Sequence, residues 1–144
     1  MTDSDILASD RFAVLDLFSR YSWAYDCGEA EIYAATFTSD GVLEGYGSLR
    51  AEGHQAIEEC IKGFFKARGT NAWQHHNTNF VMTGNSERCR VYSYWSVLER
   101  LAETDDYRVR NMGYYNSECV RTSDGWRFAY RDIQSWPAPR LPWA

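Results

Sequence analysis

Three histidines, ten tyrosines and a scatter of carboxylates are the side chains of this chain best suited to moving a proton. Asp26 is the most informative of them. It follows Leu15, Phe18 and Ser22 at three- and four-residue steps, so it falls on the apolar stripe of a helix. A carboxylate there is costly unless it is paired or hydrogen-bonded. The plainer reading is a helix-end Asp that reaches solvent or caps the following turn. His75 and His76 are neighbours in a stretch with strand character, so they point to opposite faces and only one can enter a pocket. Alternation alone turns the His76 face inward, because Thr78, Phe80 and Met82 share it. His54 opens a helix and reads as exposed. Three histidines with neither HxH nor HExxH spacing make a poor metal site. One imidazole beside one carboxylate makes a general base that needs no cofactor.

Other polar groups fall on later strands. Tyr92, Tyr94 and Ser96 share one face, and Arg108, Arg110, Tyr114, Asn116 and Glu118 share a face of the next strand. Tyrosine hydroxyls in an apolar cavity can hold an oxyanion or position a ring hydroxyl; the plain role of a strand tyrosine is half-buried packing. The sequence holds no GxSxG, Walker A or GxGxxG element. Its four cysteines, Cys27, Cys60, Cys89 and Cys119, form no CxxC pair and read as small buried apolar residues.

The elements that would position these groups can be read from periodicity. A first helix is expected over about Asp10 to Asp26, with Ser9 or Asp10 as N-cap and Gly28 as its stop. A short helix from Glu29 to Phe37 and a strand from Val42 to Tyr46 follow. Gly53 opens a third helix, with Ile57, Cys60, Ile61 and Phe64 on its apolar face, and Gly69 ends it. From Ala72 the period changes to alternation. Four strands are expected at Ala72–Met82, Arg90–Arg100, Tyr107–Val120 and Trp126–Ile133. Three helices followed by a long antiparallel meander mean an α+β fold, a curved, cone-shaped half-barrel around one pocket. The 144 residues fit one domain, residues 1–144, with a core at about 10–135 and a proline-containing tail at 136–144.

Composition narrows the partners. A net charge of −5 with no basic run argues against nucleic acid. No apolar stretch is long enough to cross a bilayer, and Met1–Asp5 is acidic, with no signal-like apolar core, which points to a cytoplasmic protein. Aromatic residues reach 16%, an excess that fits a ring-shaped ligand, a bulky core or an oligomer interface. A homodimer or homotrimer through the outer face of the sheet is therefore expected.

Four segments resemble the SnoaL-like proteins of the nuclear transport factor two-like superfamily: RYSWAYDCGEAEIYAATFTSDGVLEG (Arg20–Gly45), GHQAI (Gly53–Ile57), QHHNTN (Gln74–Asn79) and DGWRFAYRDI (Asp124–Ile133). Within that superfamily the chemical likeness is to scytalone dehydratase and the bile-acid dehydratases. Tyr25-Asp26 matches the Tyr-Asp pair of scytalone dehydratase, Gln74-His75 its Gln-His, and Asn116 an Asn on the next-to-last strand. The resemblance implies that His75, against the alternation, points into the cavity. It also implies a cofactor-free lyase, most nearly a dehydratase, with Asp26 and His75 catalytic and with Tyr25, Tyr94, Tyr114 and Asn116 holding a hydrophobic ring compound. The sequence departs from that pattern where Tyr94 replaces a second pocket histidine and Tyr114 a serine. An isomerase, a polyketide cyclase or a C–C lyase could use the same pair. A non-catalytic binding domain is the alternative of another class, and it has little reason to bury Asp26.

Overall fold

In a computed structural model, which describes residues 6–144, the elements run α1 (Ala8–Asp26), α2 (Ala30–Ala35), β1 (Phe37–Gly45), β2 (Leu49–Glu52), α3 (His54–Arg68), β3 (Ala72–Gly84), β4 (Arg88–Arg100), β5 (Tyr107–Thr122) and β6 (Gly125–Ser135). The acidic start at Met1–Asp5 lies outside the described residues. The strands form one six-stranded sheet in the order β2-β1-β6-β5-β4-β3. All neighbours are antiparallel except β1 and β6, which pair in parallel. The sheet curves without closing, and the helices lie in its concavity. This is the α+β half-barrel that the pattern of elements implied. None of the described helices is long and apolar enough to cross a membrane.

Two local expectations change. Phe37 opens β1 instead of ending α2, and the short strand β2 pairs with β1 through Val42–Gly45. Neither Ser9 nor Asp10 caps α1; Leu7 takes the cap position without a side-chain hydrogen bond. Asp10 lies inside the helix, where it is 3% exposed, accepts a hydrogen bond from Trp126 Nε1 at 3.1 Å and pairs with Arg121. A distant partner on β6 thus outcompetes the local backbone donors for this carboxylate.

The core fills the concave side. Val14, Leu17, Phe18 and Tyr21 of α1 and Ile57 and Ile61 of α3 face Val91 and Trp95 of β4, Tyr115 of β5 and Phe128 of β6. Cys89 and Cys119 are buried opposite one another on β4 and β5 with free thiols, whereas Cys27 is exposed. On the convex side the tail folds back: Trp136 packs edge-on against Tyr94 at 5.2 Å, and Trp143 lies 6.0 Å from Tyr92.

Besides a register shift in β1 between Phe37 and Val42, three irregularities break the alternation of the strands. β3 shifts register between Thr78 and Val81 around Asn79, which has φ of 58°. β5 carries Arg110 as an extra residue between the Asn111↔Val97 and Val109↔Leu98 pairs. β6 carries Ala129 as an extra residue between the partners of Glu118 and Cys119. Each bulge moves the residues beyond it to the other face.

Of the glycines, Gly113 is the most closely packed. A Cβ there would collide with the Gln134 carbonyl oxygen and would sit 2.6 Å from the Trp95 indole. Gly113→Ala is predicted to cost about 1–3 kcal/mol, as overpacking does. Urea denaturation of the two proteins measures it.

Candidate active site

Asp26 closes α1, and its carboxylate reaches β3 with both oxygens. Oδ2 accepts the backbone N–H of His75 at 2.8 Å, and Oδ1 lies 2.6 Å from His75 Nδ1. The two side chains are 14% and 11% exposed. A carboxylate facing Nδ1 holds the proton on that nitrogen and leaves the Nε2 lone pair free to accept one. Next to the pair, Asn77 Nδ2 donates to Ser22 Oγ at 2.8 Å, a second link between β3 and α1.

His75 therefore faces inward with Trp73 and Asn77, and His76 faces out, where its Nε2 lies 2.7 Å from Gln74 Oε1. Simple alternation would send Phe80 and Met82 outward in that case. The bulge at Asn79 resets the phase, so Phe80 packs against Phe18 at 5.2 Å and Met82 is buried. Both faces that the sequence set against each other thus turn inward, on either side of one extra residue.

His75 forms part of the wall of an interior cavity of about 240 Å³. Tyr21, Tyr25, Tyr33, Tyr115, Trp73 and Trp95 are among its rings, with Tyr46 and Phe64, and Arg110 and Asn111 are at its polar edge. Asp26 is behind His75, on the side of a surface groove between α1 and β3. Tyr25 lies edge-on to His75 with ring centroids 4.7 Å apart. Burial pushes the Tyr25 phenol well above its ordinary range, with the neighbouring Tyr21 adding to the rise and Arg68 opposing it, so the group keeps its proton.

Of the residues expected beside His75, Tyr25 lines the cavity and three do not. Tyr94 and Tyr114 pair across β4 and β5 on the convex face, under the C-terminal tail, and Tyr94 is 45% exposed. Asn116 shares that face and accepts a hydrogen bond from Arg90 at 2.8 Å. The reason is strand alternation: Trp95 and Tyr115 point inward, so Tyr94, Tyr114 and Asn116 point out. Tyr115, one position from each of the two expected β5 residues, is the one that enters the cavity. Tyr21, four residues before Tyr25 on α1, could have been found from the helical stripe. Arg110 and Asn111 could not, because the β5 bulge brings them to the rim.

The rim is an electrostatic cluster. Glu99, 1% exposed, accepts hydrogen bonds from Trp73 Nε1 at 2.5 Å and Arg108 Nε at 2.7 Å, with Arg110 at 3.7 Å. Arg110 and Arg68 both stack on the Trp73 ring, at 4.4 and 5.8 Å. Burial alone would raise the Glu99 carboxyl, but the bonds from Trp73 and Arg108 and the two guanidinium charges outweigh it and hold it below the usual range. No group of three or more His, Cys, Asp or Glu suited to a metal occurs among the described residues.

Because the Glu99 carboxyl is depressed on folding, its contribution to stability is complete above the unfolded value of about 4.3 and is lost as pH falls through the folded one. The stability gap between wild type and Glu99→Gln should be full near neutrality and shrink below about pH 4. Urea midpoints across that range measure it, and a gap independent of pH would contradict the assignment.

A model of the SnoaL-like domain matches residues 7–132 of the chain. Comparison with curated protein sequences gave no match. Among solved structures, one from Catenulispora acidiphila in complex with S-DNPA is 26% identical, with a TM-score of 0.80 over 90% of this chain and 95% of that one. A Nostoc punctiforme protein of unknown function with a cystatin-like fold is 24% identical, with a TM-score of 0.80 over 97% and 99% of the two chains. A candidate scytalone dehydratase from Novosphingobium aromaticivorans shares the fold at 21% identity, with a TM-score of 0.76 over 90% and 85%. With the family model covering most of its length, the chain belongs to the SnoaL-like domain family.

Proposed function

We propose that this protein is a cofactor-independent lyase of the dehydratase type, acting on a hydrophobic ring-containing small molecule, with His75 as general acid–base and Asp26 as its orienting carboxylate. One observation carries the reading: both Asp26 oxygens hold His75, at its backbone N–H and at Nδ1, while the imidazole borders the cavity. His75 Nε2 takes a proton from the carbon next to a carbonyl. The C–H electron pair becomes the new double bond, and the substrate oxygen takes up the negative charge. The enolate then collapses: the carbonyl re-forms, the enolate carbon–carbon pair becomes the double bond to the β-carbon, and the C–O bond of the β-hydroxyl breaks as the imidazolium, held by Asp26, gives that oxygen its proton, so that it leaves as water. The protonated phenol of Tyr25 stands beside His75 and can polarise the substrate oxygen. Tyr94, Tyr114 and Asn116 have no place in this step.

Cavity size bounds the substrate. A cavity of about 150 Å³ accepts benzene, so one of about 240 Å³ favours one or two fused rings over a steroid skeleton. Return of the proton to carbon would make the same pair an isomerase or cyclase. The likeness to ActVI-ORFA from Streptomyces coelicolor, at 20% identity, speaks to the fold of such proteins alone. A purely binding domain would use the Asp26–His75 clamp only to tie α1 to β3 and would not need the imidazole at the cavity wall.

Against a bicyclic β-hydroxy ketone, His75→Ala should lower turnover by about 10²–10⁴-fold. Asp26→Asn should cost a similar order, since the amide still bonds but no longer favours the charged ring. Product binding should survive both, and activity should persist in EDTA. Undiminished turnover in His75→Ala would refute the mechanism; an isomer in place of a dehydrated product would select the second reading. The reading also includes self-association through the convex face, where Tyr94, Leu98, Val109 and Met112 are exposed. Light scattering should give a dimer or trimer mass, and a monomer at micromolar concentration would exclude it.

A further inference from the structure

Arg131 is the largest fully buried side chain of the protein, at 0% exposure. It reaches the interior because the bulge at Ala129 turns it to the same side as Trp126 and Phe128. Its Nη1 donates to Ser117 Oγ at 3.0 Å, but Nε and Nη2 have no hydrogen-bond partner. None of the ion pairs among the described residues involves it. In place of a counter-ion it has rings: Tyr115 at 3.6 Å, Tyr21 at 4.1 Å, Phe128 at 4.4 Å and Phe18 at 4.5 Å from the guanidinium carbon. Cation–π attraction offsets part of the cost of burying the charge. The charge itself is left uncompensated.

Two of those four rings have another neighbour. Tyr21 and Tyr115 also line the cavity, and Tyr33 joins them through a hydrogen bond from its hydroxyl to that of Tyr21 at 2.5 Å. A full positive charge thus stacks on two of the phenol rings that line the cavity without itself lining it. Burial drives the Tyr33 and Tyr115 phenols well above their ordinary range, with Tyr21 adding to the rise and Arg131 opposing it. They stay neutral, and a cation behind a neutral phenol strengthens its O–H as a donor.

We propose that Arg131, acting through Tyr115 and Tyr21, makes this wall a site for a substrate oxygen that is, or becomes, anionic: the enolate or phenolate left when the proton departs. Arg131 is then a positioning residue, and the substrate class narrows to ring compounds with an oxygen conjugated to the reacting carbon. The catalytic use of the wall rests on the reading of His75 as base; the preference for an anion does not. The other positive groups on the cavity are Arg110 at the rim and His75 when protonated, and the test separates them.

The probe is para-nitrophenol, whose anion alone is yellow, titrated in the presence of excess protein. Bound to wild type, its pKa should fall by about one unit, a tenfold preference for the anion. His75→Ala and Arg110→Gln should keep that shift, Arg131→Met should abolish it, and Arg131→Lys should restore most of it. Should Arg131→Met fail to fold, Tyr115→Phe, which keeps the ring and removes the donor, must still weaken the shift. An unshifted or raised probe pKa in wild type, no binding of the probe, or a shift that vanishes in His75→Ala and persists in Arg131→Met would overturn the inference. A shifted probe together with undiminished turnover in His75→Ala would instead defeat only the dehydratase reading.

Discussion

The clamp between Asp26 and His75 is the contact on which the site depends. One carboxylate at the last residue of α1 takes a backbone donor and a ring donor from one residue of β3. Hydrogen bonds to a charged acceptor each contribute about 1.5–3 kcal/mol, so the same atoms that orient the imidazole also fix where the helix ends against the sheet edge. β3 is one of the two edge strands of the sheet, with only β4 as a neighbour. Its position over the cavity therefore depends on α1, through Asp26 and through the Asn77–Ser22 bond. The seating of the helix and the orientation of the imidazole meet in one interaction.

The bulges explain why a simple six-stranded sheet can aim so many polar groups at one place. A strand with strict alternation offers every second residue to the concave side. An extra residue at Asn79, Arg110 or Ala129 changes that phase. The first lets His75 and Phe80 both face in, the second brings Arg110 and Asn111 to the rim, and the third turns Arg131 under the tyrosines. Bulges also add local twist, which suits a sheet that must curl around α1.

The aromatic excess serves the interior more than any single cavity wall. Phe18, Tyr21, Tyr33, Phe37, Tyr115 and Phe128 form edge-to-face and tilted pairs 4.4–6.2 Å apart, a spacing that favours their quadrupoles. That cluster also solvates the Arg131 guanidinium in the absence of a carboxylate. A ring-lined cavity and a ring-coated cation are thus two sides of one layer.

Composition, periodicity and motif order by themselves determined the α+β class, the helices and the four long strands, because each is a local pattern that tertiary contacts reinforce. The buried face of α1, and with it the inward Asp26, was legible for the same reason. His75 was legible only through family resemblance, since alternation favoured His76, and the bulge that reconciles them leaves no period-two trace. Tyr94, Tyr114 and Asn116 were misplaced because a one-residue step on a strand exchanges inside for outside. Tyr115, Arg110 and Arg131 were decided by the tertiary structure alone: which face a strand residue presents depends on registry with a neighbour that lies far away in the chain, and no local spacing records it.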